Sequence, residues 1–185
     1  MPHTEKKLAG ETVYSGKILR LERDQVLLEN GHQTVREVVR HNGAVCIVAV
    51  DEKDNLLLVR QYRYPYAQEI LELPAGKRDG DETPETCGRR ELEEATACTA
   101  AHFEKIGALY TTPAFCDETI HIFYAWGLGP SSQHLDDDEF LTVEKVPFAQ
   151  AVKMVLAGEI PDAKTQTGIL LAHQLREGGR FPKQS

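Results

Sequence analysis

Apolar and polar residues alternate over Glu11–Glu29, where Val13, Ile18, Leu19, Leu21, Val26, Leu27 and Leu28 recur among charged and polar neighbours. Asn30-Gly31 then forms a strong hairpin turn signal, and Thr34–Arg40 (TVREVVR) alternates as a returning strand. These signals predict a small antiparallel sheet at the N-terminus. The run Gly43–Val50 (GAVCIVAV) is β-branched and nearly all apolar, the pattern of a strand covered on both faces. After a polar turn at Asp51–Asn55, Leu56–Gln61 reads as a second strand, and the two together as a hairpin. Pro74–Asp81 is rich in glycine and charge and reads as a loop. Thr83-Pro84-Glu85 opens a helix expected to reach about Thr96, with Thr as cap, Pro at the first helical position and an acid in the first turn.

Further strands are expected at Phe103–Leu109, Ile120–Trp126 and Phe140–Val146, with a loop over Gly127–Asp138. Phe148–Ala157 has helical spacing stopped by Gly158, and Asp162–Leu175 reads as a final amphipathic helix. Strands mixed with two or three helices indicate an α/β or α+β sandwich, a mixed sheet between helices with an added N-terminal antiparallel sheet. The chain divides on this reading into an N-terminal sheet at 1–42 and a main domain at 43–185.

At 185 residues the chain suits one domain or one domain with an extra lobe, and 41% hydrophobic residues suffice for a packed core. The net charge of −8 argues against a general nucleic-acid or membrane-surface binder, whose affinity would come from Lys and Arg meeting phosphates. Cys46, Cys87, Cys98 and Cys116 lack paired metal-ligand spacing. No apolar run approaches the length of a membrane span. A reducing, cytoplasmic setting is expected.

Chemistry concentrates in Leu73–Cys98 (LPAGKRDGDETPETCGRRELEEATAC). Glu91 and Glu94 are three apart and share one helical face with Cys87, Ala95 and Cys98; Arg90 and Glu94 are four apart and can pair. Two carboxylates on one face suit a hard cation, Mg²⁺ or Mn²⁺, with a loop carbonyl as a further ligand. The competing reading is a solvated charged face with surface ion pairs.

The spacing Gly76, five residues, Glu82, seven residues, then Arg90-Glu91-Leu92-x-Glu94 closely resembles the Nudix box. Flanking segments Tyr62-Arg63-Tyr64-Pro65, Glu72-Leu73-Pro74-Ala75-Gly76, Thr112–Glu118 and Asp162-Ala163-Lys164-Thr165 look like the ADP-ribose pyrophosphatase branch, as does Pro113, fifteen residues past Cys98. The resemblance implies Mg²⁺-dependent hydrolysis of ADP-ribose to AMP and ribose 5-phosphate. It implies metal held by Glu91, Glu94 and the Ala75 carbonyl, Glu82 near the metal, and Arg90 orienting the carboxylates. A general base would come from the loop Asp136-Asp137-Asp138-Glu139, with Glu139 first and Asp137 second. Arg36 and Arg63 would grip substrate and Glu118 the terminal ribose hydroxyls. Tyr62, Tyr64 and Tyr66 would offer stacking faces for adenine. It further implies a homodimer in which the N-terminal sheet, carrying Arg36, completes the neighbour's site.

Two positions depart from the family pattern. Ala95 stands where a second adjacent glutamate, a principal metal ligand, is usual, and Ala97 where glycine is usual. Glu93 falls on another face. Three outcomes are compatible with Ala95: weak metal binding with slow turnover, recruitment of a carboxylate from Glu82 or residues 136–139, or a catalytically inactive nucleotide binder. A hydrolase of another nucleoside diphosphate sugar also fits. If position 97 is helical, Ala there raises only a packing question.

Overall fold

The computed structural model describes residues 3–132 and 140–182. Packing divides the chain into two compact units, Met1–Gly43 with Tyr110–Thr119, and Ala44–Leu109 with Ile120–Ser185.

The first unit is an antiparallel sheet of β1 (Lys6–Ser15), β2 (Arg20–Leu27) and β3 (Gln33–Arg40), in that order. The long alternating segment of the sequence is therefore two strands, reversed at Gly16, whose N–H donates to the Leu19 carbonyl at 2.9 Å. Residues 110–119 join this unit where Val39 and Cys116 bridge. Arg40 links Glu22 and Asp117, at 2.9 and 3.0 Å. Every residue of β1 is exposed, including Leu8, Val13 and Tyr14.

The second unit contains two sheets and three helices. One sheet has the order β7 (Ala75–Lys77), β4 (Ala44–Ala49), β9 (Thr119–Pro130), β8 (Cys98–Tyr110); β4 runs parallel to β9 and antiparallel to β7. The other is antiparallel, in the order β10 (Leu141–Pro147), β5 (Asn55–Arg63), β6 (Gln68–Glu72). Strand β4 is buried throughout, as its apolar run requires. Its alternate side chains face opposite ways. Cys46 and Val48 pack with Phe148 and Ala151 of α2 (Phe148–Leu156) and with Ile169 and Ala172 of α3 (Ala163–Glu177). Val45, Ile47 and Ala49 pack with Cys87 and Leu92 of α1 (Pro84–Thr96). This is the expected mixed sheet between helices.

Three local expectations are corrected. The hairpin read across residues 43–61 is a crossing between sheets: β4 and β5 belong to different sheets and share only the Val50–Leu56 bridge outside their ladders. Asp51 closes the turn, its Oδ1 accepting from the N–H groups of Lys53 and Asn55 at 3.0 and 2.9 Å. The loop read at Pro74–Asp81 contains β7, and β6 precedes it without having been foreseen; both are too short for a periodicity signal. The loop read from Gly127 is strand up to Pro130, because β9 continues through that glycine in a left-handed conformation, φ 66°.

Helix α1 starts as read: the Thr83 side chain accepts from the Thr86 N–H at 3.2 Å, with Pro84 first in the helix. It also ends as read, at Thr96. Ala97 lies beyond the helix in the left-handed region, φ 56°, with its N–H donating to the Glu93 carbonyl. That position favours glycine because Cβ crowds the backbone there. Ala97→Gly is expected to raise unfolding stability by about 0.5–1 kcal/mol, after the entropy glycine adds to the unfolded chain. Equal midpoints for both proteins in urea titrations would refute this.

Candidate active site

The charged site is built on the second unit by β7, the turn after it and α1 as far as Glu94. Gly76 and Glu91 are its closest pair. A Cβ on Gly76 would fall inside the Glu91 carboxylate, so the missing side chain is what lets that carboxylate lie over β7. The backbone beyond β7 is held by Arg78, which donates to the Glu82 carbonyl at 2.9 and 2.6 Å. The Glu82 N–H closes the turn on the Asp79 carbonyl at 2.9 Å.

Arg90 lies between the acids. Its Nε and Nη2 fork onto the two Glu82 oxygens at 3.0 Å each. Its Nη1 donates to Glu91 Oε1 at 2.9 Å and to Glu94 Oε2 at 2.8 Å. Nη2 also reaches the Lys77 carbonyl at 3.3 Å. Asp79 is 3.8 Å away but almost fully exposed. Hydrogen bonds from Arg90 hold the Glu82 carboxyl well below its ordinary range, at about 2. The same bonds, Glu82's foremost, raise Arg90. Beneath them the Cys87 thiol is buried and pushed up to about 12, by desolvation first and then by Glu82 and Glu91. It is a neutral packing group at physiological pH.

The side-chain donors gathered here are hard oxygens, those of Glu82, Glu91 and Glu94, and Ala75 lies in β7 next to Gly76. They fit a hard divalent cation in kind. Ala95, buried on α1, adds none. Among the described residues no three His, Cys, Asp or Glu side chains converge in a metal-binding group, consistent with Arg90 being interposed between the acids. Glu93 is engaged elsewhere, its carboxylate accepting from the Ser131 hydroxyl.

The other predicted residues are distributed more widely. Arg63, at the end of β5, forks onto Glu72 with Nε and Nη2 at 2.6 and 2.8 Å. Tyr62, Tyr64 and Tyr66 are exposed. Arg36 and Glu118 belong to the first unit. There Arg36 forks onto Glu5 at 3.0 and 2.6 Å, and Glu118 lies 3.3 Å from His41 Nδ1. Asp137 and Glu139, with the rest of the acidic loop, lie outside the described residues.

Sequence reasoning missed the support beneath the site. Glu72 is 2% exposed yet charged: burial alone would raise its pKa, but Arg63 and Lys164 outweigh it and the net shift is downward. Lys164 pairs with Glu72 and, at 3.0 Å, with Asp162. Asp162 caps α3 through the Thr165 N–H at 2.9 Å, and the Thr165 hydroxyl accepts from the Leu73 N–H at 2.9 Å. Gly168 allows α3 to lie against Leu73. The segment leading into Ala75 and Gly76 is thereby fixed from below. The available signal was an acid and a lysine in the two quoted motifs, Glu72–Gly76 and Asp162–Thr165, with opposite charges to satisfy.

A sandwich of this topology carrying a glycine-cradled carboxylate on its first helix defines a class, and comparison with known proteins agrees. The chain belongs to the NUDIX domain family, which it matches over residues 40–167, while residues 5–39 match the nucleoside diphosphate sugar hydrolase N-terminal domain. It is 42% identical over 167 residues to an ADP-ribose pyrophosphatase of Bacillus subtilis (strain 168), covering 89% of this chain and 90% of the relative. It is 37% identical over 186 residues to an ADP-ribose pyrophosphatase of Mycobacterium tuberculosis, covering 98% and 89%. A crystal structure of an ADP compounds hydrolase superposes with a TM-score of 0.85 at 25% identity, covering 96% of this chain and 97% of that one.

The ionised Glu82 contributes stability that is fully present above its unfolded pKa of about 4.5 and is lost as pH falls toward about 2. Wild type and Glu82→Gln are therefore expected to differ in unfolding stability at pH 6 and to converge as the pH approaches 2. A difference independent of pH would refute the pairing.

Proposed function

We propose that the chain is a divalent-cation-dependent pyrophosphohydrolase that takes ADP-ribose and water to AMP and ribose 5-phosphate. The observation that carries this reading is the Glu91 carboxylate seated over Gly76 and gathered with Glu94 and Glu82 around Arg90. Glu91, Glu94 and the Ala75 carbonyl would hold the cation, Mg²⁺ or Mn²⁺. A cation held there would neutralise the diphosphate and lower the pKa of an attacking water. Glu82 remains at the edge of that shell and Arg90 orients the acids. Glu139 accepts the water's proton, with Asp137 the second choice. Arg63, and Arg36 from the second copy, meet the phosphates, which requires each guanidinium to share the fork it makes with Glu72 or Glu5; Glu118 takes ribose hydroxyls, and Tyr62 offers an exposed aromatic face. The names of the relatives support the substrate class.

The protein works on this reading as a cytoplasmic homodimer, residues 1–42 being the dimerisation element and residues 43–185 the catalytic domain. All four cysteines are free, and no described helix is long and apolar enough to cross a membrane. Exposed Leu8, Val13, Tyr14 and Ile18 in the first unit supply apolar surface for a second copy. Its partner molecules are then a small nucleoside diphosphate and its own twin, with neither nucleic acid nor membrane.

A second reading is favoured by Ala95: a Nudix domain that binds ADP-ribose or another nucleoside diphosphate sugar with little or no turnover. AMP release from ADP-ribose with Mg²⁺ or Mn²⁺ separates the two. Ala95→Glu is expected to raise kcat/KM by at least about tenfold, the scale on which metal-site support acts. No AMP from either protein, with ADP-ribose still bound in calorimetry, would replace the first reading by the second. Light scattering is expected to give twice the chain mass of 20.7 kDa at micromolar concentration, and a monomer mass would refute the dimer.

A further inference from the structure

Arg90 directs three nitrogens into the acid cluster, and they divide the work unequally. Nε and Nη2 make a complete two-pronged pair with Glu82, 3.0 and 3.0 Å, which satisfies that carboxylate in the planar geometry guanidinium favours. Nη1 is shared between Glu91 Oε1 and Glu94 Oε2 at 2.9 and 2.8 Å. Those two oxygens come from the side chains that the functional reading gives to the cation. A carboxylate oxygen pointing its electron pair at an N–H offers the same electron pair to a hard cation. Guanidinium and divalent cation are also like charges, and like charges at a few ångströms repel most strongly where water is scarce.

We propose that Arg90 is a tethered competitor of the divalent cation, parked on Glu82 and holding one oxygen each of Glu91 and Glu94, the two side chains that would ligate metal. Glu82 is the anchor, so metal entry costs the Nη1 contacts while the two-pronged pair persists. Ala95 sharpens the competition. With no carboxylate at that position, the two oxygens under Nη1 are a larger share of what the cation can gain. The same guanidinium that gathers the acids in the metal-free protein thus weakens their hold on metal. An organiser without competition predicts the opposite sign. This rests on Glu91 and Glu94 being the ligands.

The test is Mn²⁺ binding without nucleotide, read from the spectrum of free Mn²⁺ by electron paramagnetic resonance. Arg90→Gln is expected to bind at least about tenfold more tightly than wild type, a change of roughly 1.4 kcal/mol. Arg90→Lys keeps the charge but cannot fork, and is expected to bind more tightly than wild type by a smaller factor. Both should show a larger rise in melting temperature on adding Mn²⁺. Should Arg90→Gln fail to fold, Arg90→Lys carries the same comparison. Equal or weaker binding in the folded variants, while Glu91→Gln still weakens wild type, overturns the proposal alone. If Glu91→Gln leaves wild-type Mn²⁺ affinity unchanged, the ligand reading falls and the proposal with it.

Discussion

Three carboxylates gathered along one helix repel one another, and in this chain a single guanidinium reconciles them. Arg90 spans from Glu82, ahead of α1, to Glu91 and Glu94 within it. The geometry on which it depends is set by an absence: no side chain on Gly76. If β7 carried a Cβ there, Glu91 would be displaced and Nη1 could not serve both acids. The arrangement is thus fixed jointly by a backbone contact and by electrostatics, and neither suffices alone. Surface ion pairs are usually worth little because water competes for both partners. This one differs because one cation serves several acids at once and the half-buried setting limits screening.

Behind that charged face lies a second set of charges with a different role. Glu72 is buried between Arg63 and Lys164, and the Asp162–Thr165 cap ties α3 to the strand leading into Gly76. Removing both cations would strand a buried carboxylate, which costs several kcal/mol, whereas replacing the whole group by apolar residues is close to neutral. Its value is therefore placement. It sets the height of the β6–β7 segment relative to α1, and that height decides how closely Glu91 approaches the backbone.

Much of this was legible in the chain. The all-apolar run at Ala44–Ala49 announced a strand covered on both faces, and Thr83-Pro84 fixed the start of α1 to the residue. The box spacing named Gly76, Glu82, Arg90, Glu91 and Glu94, and the structure brings them together. What was not legible depends on tertiary partners. β7 is three residues long and exists because β4 pairs with it. The turn after β4 resembles a hairpin locally, but sheet membership is decided by which neighbours each strand can bury against. Ala97 is the instructive miss. The helix end at Thr96 was read, but Ala is a good helix residue, and nothing in its identity signalled the positive φ at position 97, where that preference no longer applies.

The two family departures now separate. Ala97 concerns only the helix terminus and leaves the acids where they are. Ala95 changes the charge of the site itself. Glu82, Glu91 and Glu94 set against Arg90 leave two net negative charges, since Asp79 is almost fully exposed and screened by water. One divalent cation balances that charge. A carboxylate at position 95 would add a third negative charge that Arg90, already committed to three acids, is poorly placed to neutralise. The present site is therefore quieter without metal and less demanding of it. That difference in charge follows from one missing carboxylate on an otherwise intact helix face.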